Sequence, residues 1–297
     1  TSADKRRPNG VLEETATHAA REKTLDLSAT DAWRMTQLAT SEYLEYGVTT
    51  ASAGGMPTAL AELLGPMSKF NQIPLRVALF PFFDEVGAGL LSGDLSLDDF
   101  SGGRVVVPRV KIFADGSIQG VTGELSQRYQ RPCKGGAARE DALGASAAAS
   151  ARLPWPHARP LIIHSQMARE DQIARMAVLG VTPSFFAAHT FFWGDRHAGI
   201  LMWPERAANM SPAKWPLDAG VRFSSHIDTP VTPMRPLQAV WSPVERKTKS
   251  GVILGPDQRI DRMSAVRAVT IDAAWQIFMD DQIGSIEPGK LADLVVL

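Results

Sequence analysis

Six short apolar runs, most of them followed by a helix-like segment, constrain this chain more than anything else in it. The runs are VTTAS (48–52), LRVALF (75–80), VVVPRVKIF (105–113), PLIIH (160–164), VTPSFF (181–186) and VRFSSH (221–226). Brief apolar strands alternating with helices are the pattern of a parallel sheet whose faces are covered by crossovers, which makes the chain α/β. Ser28 with Asp31 three residues on predicts a capped helix start, and Trp33, Leu38, Tyr43 and Leu44 give that helix an apolar stripe ending at Gly47. Pro57 opens a second helix with Leu60, Leu63, Leu64 and Met67 on one face, and Gly180 closes another that begins near Ala168. LQAVWSPVER reads as a helix, MSAVRAVTIDAAWQIFMDD as one long helix, and GSIEPGKLADLVVL as a turn leading into a strand. Residues 1–27 are polar and helix-leaning, whereas the stretch from Ala187 to Pro212, rich in Trp, Pro and His, reads as irregular.

Composition narrows the function. With 297 residues and 44% hydrophobic content the chain can form one large domain or two ordinary ones. A net charge of −1 gives no reason to expect nucleic acid or an anionic membrane as partner. The single cysteine, Cys133, excludes an internal disulfide and a cysteine-based zinc knuckle, and fits a cytoplasmic location. No apolar run reaches the roughly 18 residues of a membrane span, and TSADKRRPNG has no leader-like apolar core.

Three strand ends carry groups able to do chemistry. Lys111 sits between Val110 and Ile112, where an ammonium is costly unless it is neutral, paired or modified, or unless its stem carries the head to solvent. A neutral amine can take up carbon dioxide as a carbamate, an anionic oxygen ligand. His164 ends PLIIH, and Asp228 follows VRFSSH just before Pro230. Imidazole with carboxylate oxygen is a ligand set for zinc or a similar divalent ion. Each residue alone reads equally well as structural: His226 as a satisfied histidine, Asp228 as a turn-former, and Lys111 also as a Schiff-base nucleophile.

The segments VKIFADGSIQG, IIHSQMAREDQIARM, LGVTPSFF, FFWGDRH, LDAGVRFSSHIDTPVTP, LGPDQRI and TIDAAWQIF with GSIEPGKLADLVVL, in that order, resemble the YtcJ-like branch of the amidohydrolase superfamily (amidohydrolase family 3). That branch includes N-substituted formamide deformylase-type enzymes, and the resemblance runs from about Val11 to Leu297. It implies a distorted (β/α)8 TIM barrel over 1–286, with 287–297 starting the return into a small β-sandwich built from the termini. It also implies a metal-dependent hydrolase that cleaves an amide or formamide C–N bond. A water activated by one or two divalent ions, zinc first among them, would attack the carbonyl while an aspartate acts as base. Carried over by residue, Lys111 (carboxylated or not), His164 and Asp228 are metal ligands, and Asp228 is also the catalytic base. His189, Trp193, Arg196, His197 and His226 line the substrate cleft. The implied partner is a small molecule, with a homodimer as a candidate assembly and neither nucleic acid nor membrane involved.

The chain departs from the family pattern in specific places. No His-x-His pair marks a first barrel strand, and residues 134–153 pass from a Gly-rich turn to an Ala-rich helix with no fifth strand between. We therefore expect this chain to lack strands 1 and 5, with omitted segments before residue 1 and near 134–141. Ile163 stands where the family has Glu, and Ile227 where it has Ser. A non-catalytic remnant binding a ligand or partner in the old cleft is the alternative these departures favour.

Overall fold

The computed structural model describes residues 28–123, 125–127, 129–130 and 158–296, with Gly10, Leu12, Thr17 and Ala20 besides. The interval 134–153 and most of 1–27 lie outside the described residues. Each of the six apolar runs contributes a strand, and the strands make two three-stranded parallel sheets. The first holds β1 (Thr50–Met56), β2 (Arg76–Pro81) and β3 (Val105–Val106). The second holds β4 (Leu161–His164), β5 (Thr182–Phe185) and β6 (Ser224–Ser225).

The third run pairs over only two residues, because Pro108 offers no N–H to a ladder. The chain rejoins the sheet at Lys111, whose N–H donates to the Pro81 carbonyl at 2.8 Å while its own carbonyl accepts from Phe83 at 2.9 Å. That contact fixes Lys111 at the C-terminal tip of β2. In the second sheet Ile163 lies beside Ser184, and Ser184 beside Ser224, so two hydroxyls occupy adjacent positions across the strands. β1 is only half-buried, unlike the buried strand its sequence suggests. Its Ala, Ser and Gly side chains are too small to fill a sheet face.

Helix α1 (Ala29–Glu45) starts where expected: Ser28 Oγ accepts from the Asp31 N–H at 3.2 Å, and the chain turns out at Gly47 with φ +75°. Its apolar stripe, however, is mostly exposed, with Tyr43 the half-buried member. Leu38 is 65% exposed, and Trp33 and Leu44 are also open to solvent. Helix α2 (Thr58–Lys69) does bury its predicted face, with Leu64 and Met67 in the core and Leu60 and Leu63 against it. α3 (Phe83–Ser92) follows β2, and α4 (Glu170–Leu179) ends on Gly180 at φ +66° as its sequence demands.

The stretch from Ala187 to Pro212, read as irregular, is largely helical instead: α5 (His189–Arg196) runs into a wide turn over His197–Leu201, then α6 (Pro204–Ala207), and the short α7 (Lys214–Asp218) follows it. Its aromatic residues pack on several sides, which erases the one-sided period that marks a helix in sequence. α8 (Pro236–Glu245) matches expectation, but the long helix beyond it is two. Thr270, at φ −125° and ψ −101°, separates α9 (Arg262–Val269) from α10 (Ile271–Gln276), and its hydroxyl bonds back to the Val266 carbonyl at 2.8 Å. The closing strand does not form among the described residues: Leu294, Val295 and Val296 are exposed and lack a neighbouring strand, although Asp293 holds Arg76 at 3.0 Å.

Five groups of apolar contacts are found among the described residues, and three of them bind the sheets to their helices and to each other. Ala61, Leu64, Leu79, Val86 and Phe100 pack α2 and α3 on the first sheet. Phe185, Phe223, Ile260 and Ala265 pack the later helices on the second. Between them, Ala78 and Phe80 of the first sheet meet Leu161 and Ile163 of the second around Ala274, Ile277 and Met279. Beside that junction the Arg109 guanidinium donates to the Arg159 carbonyl at 3.0 Å, and both arginines lie over the Phe278 ring. A buried arginine, Arg246, ties the loop after α6 to α8 by donating to the carbonyls of Ser211, Ala208, Met210 and Leu254 at 2.7–3.1 Å.

Candidate metal centre

The C-terminal tips of β4 and β6 bring three side chains together. Ligand atoms of His164, His226 and Asp228 all lie within 4.8 Å of one another. His164 Nε2 is 3.4 Å from Asp228 Oδ2, and the His164 and His226 rings are 5.3 Å apart edge to face. The backbone is bent to do this: φ is +70° at His164, +41° at Ser165 and +54° at Asp228. For side chains bearing a Cβ, the left-handed region costs roughly 1–2 kcal/mol per residue, and such strain clusters at functional positions.

Lys111 shares this field. Its amine lies 5.0 Å over the Phe113 ring, and burial pushes its pKa down against the pull of Asp228 and Asp115. Burial would raise the Asp228 carboxyl, but the hydrogen bond from His164 and the charges of His164, His226 and Lys111 hold it below the usual value. Lys111, His164, Asp228, His189 and Trp193 line one cleft of about 1350 Å³.

The remaining candidates divide. His226 sits behind the cleft wall, its Nδ1 3.0 Å from Ser184 Oγ and its Nε2 buried with no partner among the described residues. Burial pushes its ring down to about 3. His189 is 2% exposed and burial holds it neutral; Gln119 contacts its Nε2, and its Nδ1 has no partner among the described residues. Trp193 stands 5.4 Å from His189 on the same helix. Arg196 and His197 are not brought to the cleft. Arg196 points outward from the end of α5. His197 is fully buried, with its Nδ1–H donating to the Trp193 carbonyl at 2.8 Å and its Nε2 accepting from Gln166 at 3.2 Å, so both nitrogens are spent on packing.

Sequence reasoning missed four residues. Phe186 is the hub of the aromatic cluster, with ring centroids 4.1 Å from His189, 5.5 Å from His226, 6.4 Å from His164 and 5.7 Å from Trp193. Ser184 holds His226, and strand alternation puts Ser184 and Phe186 on one face, a signal present in VTPSFF. Gln119 lies within VKIFADGSIQG. Tyr43 of α1 has its phenol pushed up by burial, by Glu42 and by Asp228, which brings a helix with no strand-end signature close to the site.

The donor set fits a divalent ion. Two imidazoles and a carboxylate converge, and the buried His226 Nε2 has no partner among the described residues, as a nitrogen reserved for a cation would. Lewis acidity at that point would polarise a carbonyl and ease the ionisation of water.

Comparison with known proteins agrees with this geometry. Residues 132–297, more than half of the chain, match the model of the amidohydrolase family. N-substituted formamide deformylase of Arthrobacter pascens is 34% identical over 137 residues, 45% of this chain and 25% of that protein. Protein LONG AFTER FAR-RED 3 of Arabidopsis thaliana is 41% identical over 71 residues, 24% of this chain and 12% of that one. These alignments therefore cover a quarter or less of the curated relatives. Among solved structures, an uncharacterised metal-dependent hydrolase from Pyrococcus horikoshii superposes with TM-score 0.81 at 22% identity over 99% of this chain and 65% of its own. An atrazine chlorohydrolase from Arthrobacter aurescens, solved with zinc, gives 0.54 at 14% identity over 92% and 65%. At these identities the structural matches speak to the fold. No helix among the described residues is long and apolar enough to cross a membrane. The family match, the α/β fold and the histidine–carboxylate cluster at its strand tips agree: the chain belongs to the amidohydrolase family, in its family 3 branch.

Proposed function

We propose that this chain carries the catalytic part of a metal-dependent hydrolase that cleaves an amide or formamide C–N bond. The observation that carries the reading is the convergence of His164, His226 and Asp228, the first and last of which line one cleft, with Lys111 in the same electrostatic field. The two sheets are then read as parts of a distorted β/α barrel with its chemistry at the C-terminal strand ends, as barrel enzymes place it. A divalent ion, zinc by preference, would be held by His164, Asp228 and His226. Lys111 would contribute an oxygen if carboxylated, which its depressed amine pKa supports. His226 thus moves from the cleft wall, where the family resemblance put it, to the ligand set.

Hydrolysis adds a water oxygen to the carbonyl carbon and breaks the bond to nitrogen. Asp228, held as carboxylate, takes a proton from the water and returns it to the leaving nitrogen. His189, neutral and with an unpartnered ring nitrogen, and Trp193 bound the substrate on the α5 side. The name of the Arthrobacter pascens relative, an N-substituted formamide deformylase, makes N-substituted formamides the first substrates to try.

The test is metal analysis of the purified protein with formamide turnover before and after chelation. One or two equivalents of zinc, with activity lost on chelation and regained on adding zinc, are expected. A protein that takes up no divalent ion overturns the hydrolase reading in favour of a ligand-binding remnant, the alternative that Ile163 and Ile227 support.

A further inference from the structure

Ser184 occupies a strand position that needs no hydroxyl for the fold. It lies in β5 between Pro183 and Phe185, is buried, and could be alanine without loss of apolar contact. Its oxygen is instead the sole described partner of His226 Nδ1, at 3.0 Å, and it accepts a second bond from Ser224 Oγ–H at 2.7 Å. Ser224 is the register neighbour of Ser184, so the pair is built into the sheet. On the other side of the ring, His226 Nε2 is buried and has no partner among the described residues, and a ring nitrogen of His226 lies within 4.8 Å of ligand atoms of His164 and Asp228.

Two proton placements satisfy the Nδ1 contact. If Ser184 donates to Nδ1, the ring carries its proton on Nε2, a fixed buried N–H with no protein acceptor. If Nδ1–H donates to Ser184, the hydroxyl oxygen accepts from both Nδ1 and Ser224 on its two lone pairs. Nε2 then carries the ring's free lone pair. The second arrangement leaves only the Ser184 hydroxyl hydrogen to place, and that hydrogen can rotate where a ring N–H cannot. Metal-bound histidines are oriented by partners of this kind on the far nitrogen.

We propose that Ser184, supported by Ser224, is a positioning residue that fixes the tautomer of His226 and so supplies the site with its third ligand lone pair. The inference rests on the metal-centre reading above. Its test uses the full chain with 15N-labelled histidine. In metal-free protein the His226 ring should be protonated at Nδ1, and a ring protonated at Nε2 overturns the inference whether or not zinc binds. In Ser184→Ala the tautomer should shift, and zinc affinity, measured by competition with a chromophoric chelator, should fall about 10–100-fold. Ser184→Thr, which keeps the hydroxyl, should restore the tautomer and most of the affinity. An S184A protein that binds zinc as tightly as wild type overturns the inference and leaves the metal centre standing. A wild-type protein that binds no zinc overturns the metal centre, and the tautomer measurement still decides the role of Ser184.

Discussion

The two sheets are built alike and used differently. In the first, β2 is backed by Leu64, Leu79, Val86 and Phe100, and only Lys111, at a strand tip, has any chemistry. In the second, Thr182, Ser184, Ser224 and Ser225 are buried hydroxyls, and the strand ends deliver His164, Phe186, His226 and Asp228. One sheet spends its interior on apolar contact, the other on hydrogen bonds that orient side chains. Stability and chemistry are thereby separated along the chain, and variants in the two halves should fail in different ways.

The sharpest test of that division is Asp228→Asn. It removes the base while keeping shape, so turnover should fall about 10²–10⁴-fold, the usual worth of a general base, with little change in a urea unfolding curve. Phe186→Ala should blur the division, because that ring supports three histidines from within the second sheet. We expect a loss of about 3–5 kcal/mol in unfolding free energy, accompanied by weaker zinc binding in chelator competition. Leu79→Ala, fully buried in the first sheet, should cost about 2–5 kcal/mol yet leave zinc stoichiometry at the wild-type value. If it strips the metal, the two halves are not separable.

Acid should act on the second half first. His189, His197 and His226 are held neutral by burial, with His226 pressed down to about 3. The unfolded chain takes up protons below its ordinary histidine pKa near 6.5, while the folded one does not until far lower pH. The stability these rings contribute is therefore present above about pH 6.5 and drains away as pH falls toward 3. A melting temperature that drops between pH 7 and pH 5 is expected, and one that stays flat would remove the electrostatic distinction. Last and smallest, Arg196→Ala should change turnover and stability by no more than about 0.5 kcal/mol, since its side chain is exposed and outside the cleft. A large loss there would restore Arg196 to the substrate-binding set.

Much of this was readable in the chain beforehand, and the exceptions have causes. All six strands lie where apolar runs predicted them, because a buried parallel strand must be apolar whatever surrounds it. Lys111, His164 and Asp228 line one cleft because each stands at or just beyond the C-terminal end of a parallel strand. The helical character of His189–Leu201 escaped because aromatic packing on several faces leaves no single apolar stripe. The stripe of Trp33, Leu38 and Leu44 misled for the opposite reason: its period is helical, but among the described residues nothing covers it. Arg196 and His197 were carried over as neighbours in sequence, whereas consecutive helix positions face about 100° apart, which sends one outward and the other into the core. Partners such as Ser184 and Gln119 carry no charge to draw the eye, and only pairing across strands or loops reveals them.

The backward-bent torsions at His164, Ser165 and Asp228 have an evolutionary corollary. Glycine at any of the three would sit comfortably there and discard the chemistry, so a lineage selected for robustness alone would be expected to drift toward smaller residues at those tips. At His164 and Asp228 the same substitution would take away a candidate ligand atom, so comfort of the backbone and supply of donors pull in opposite directions there.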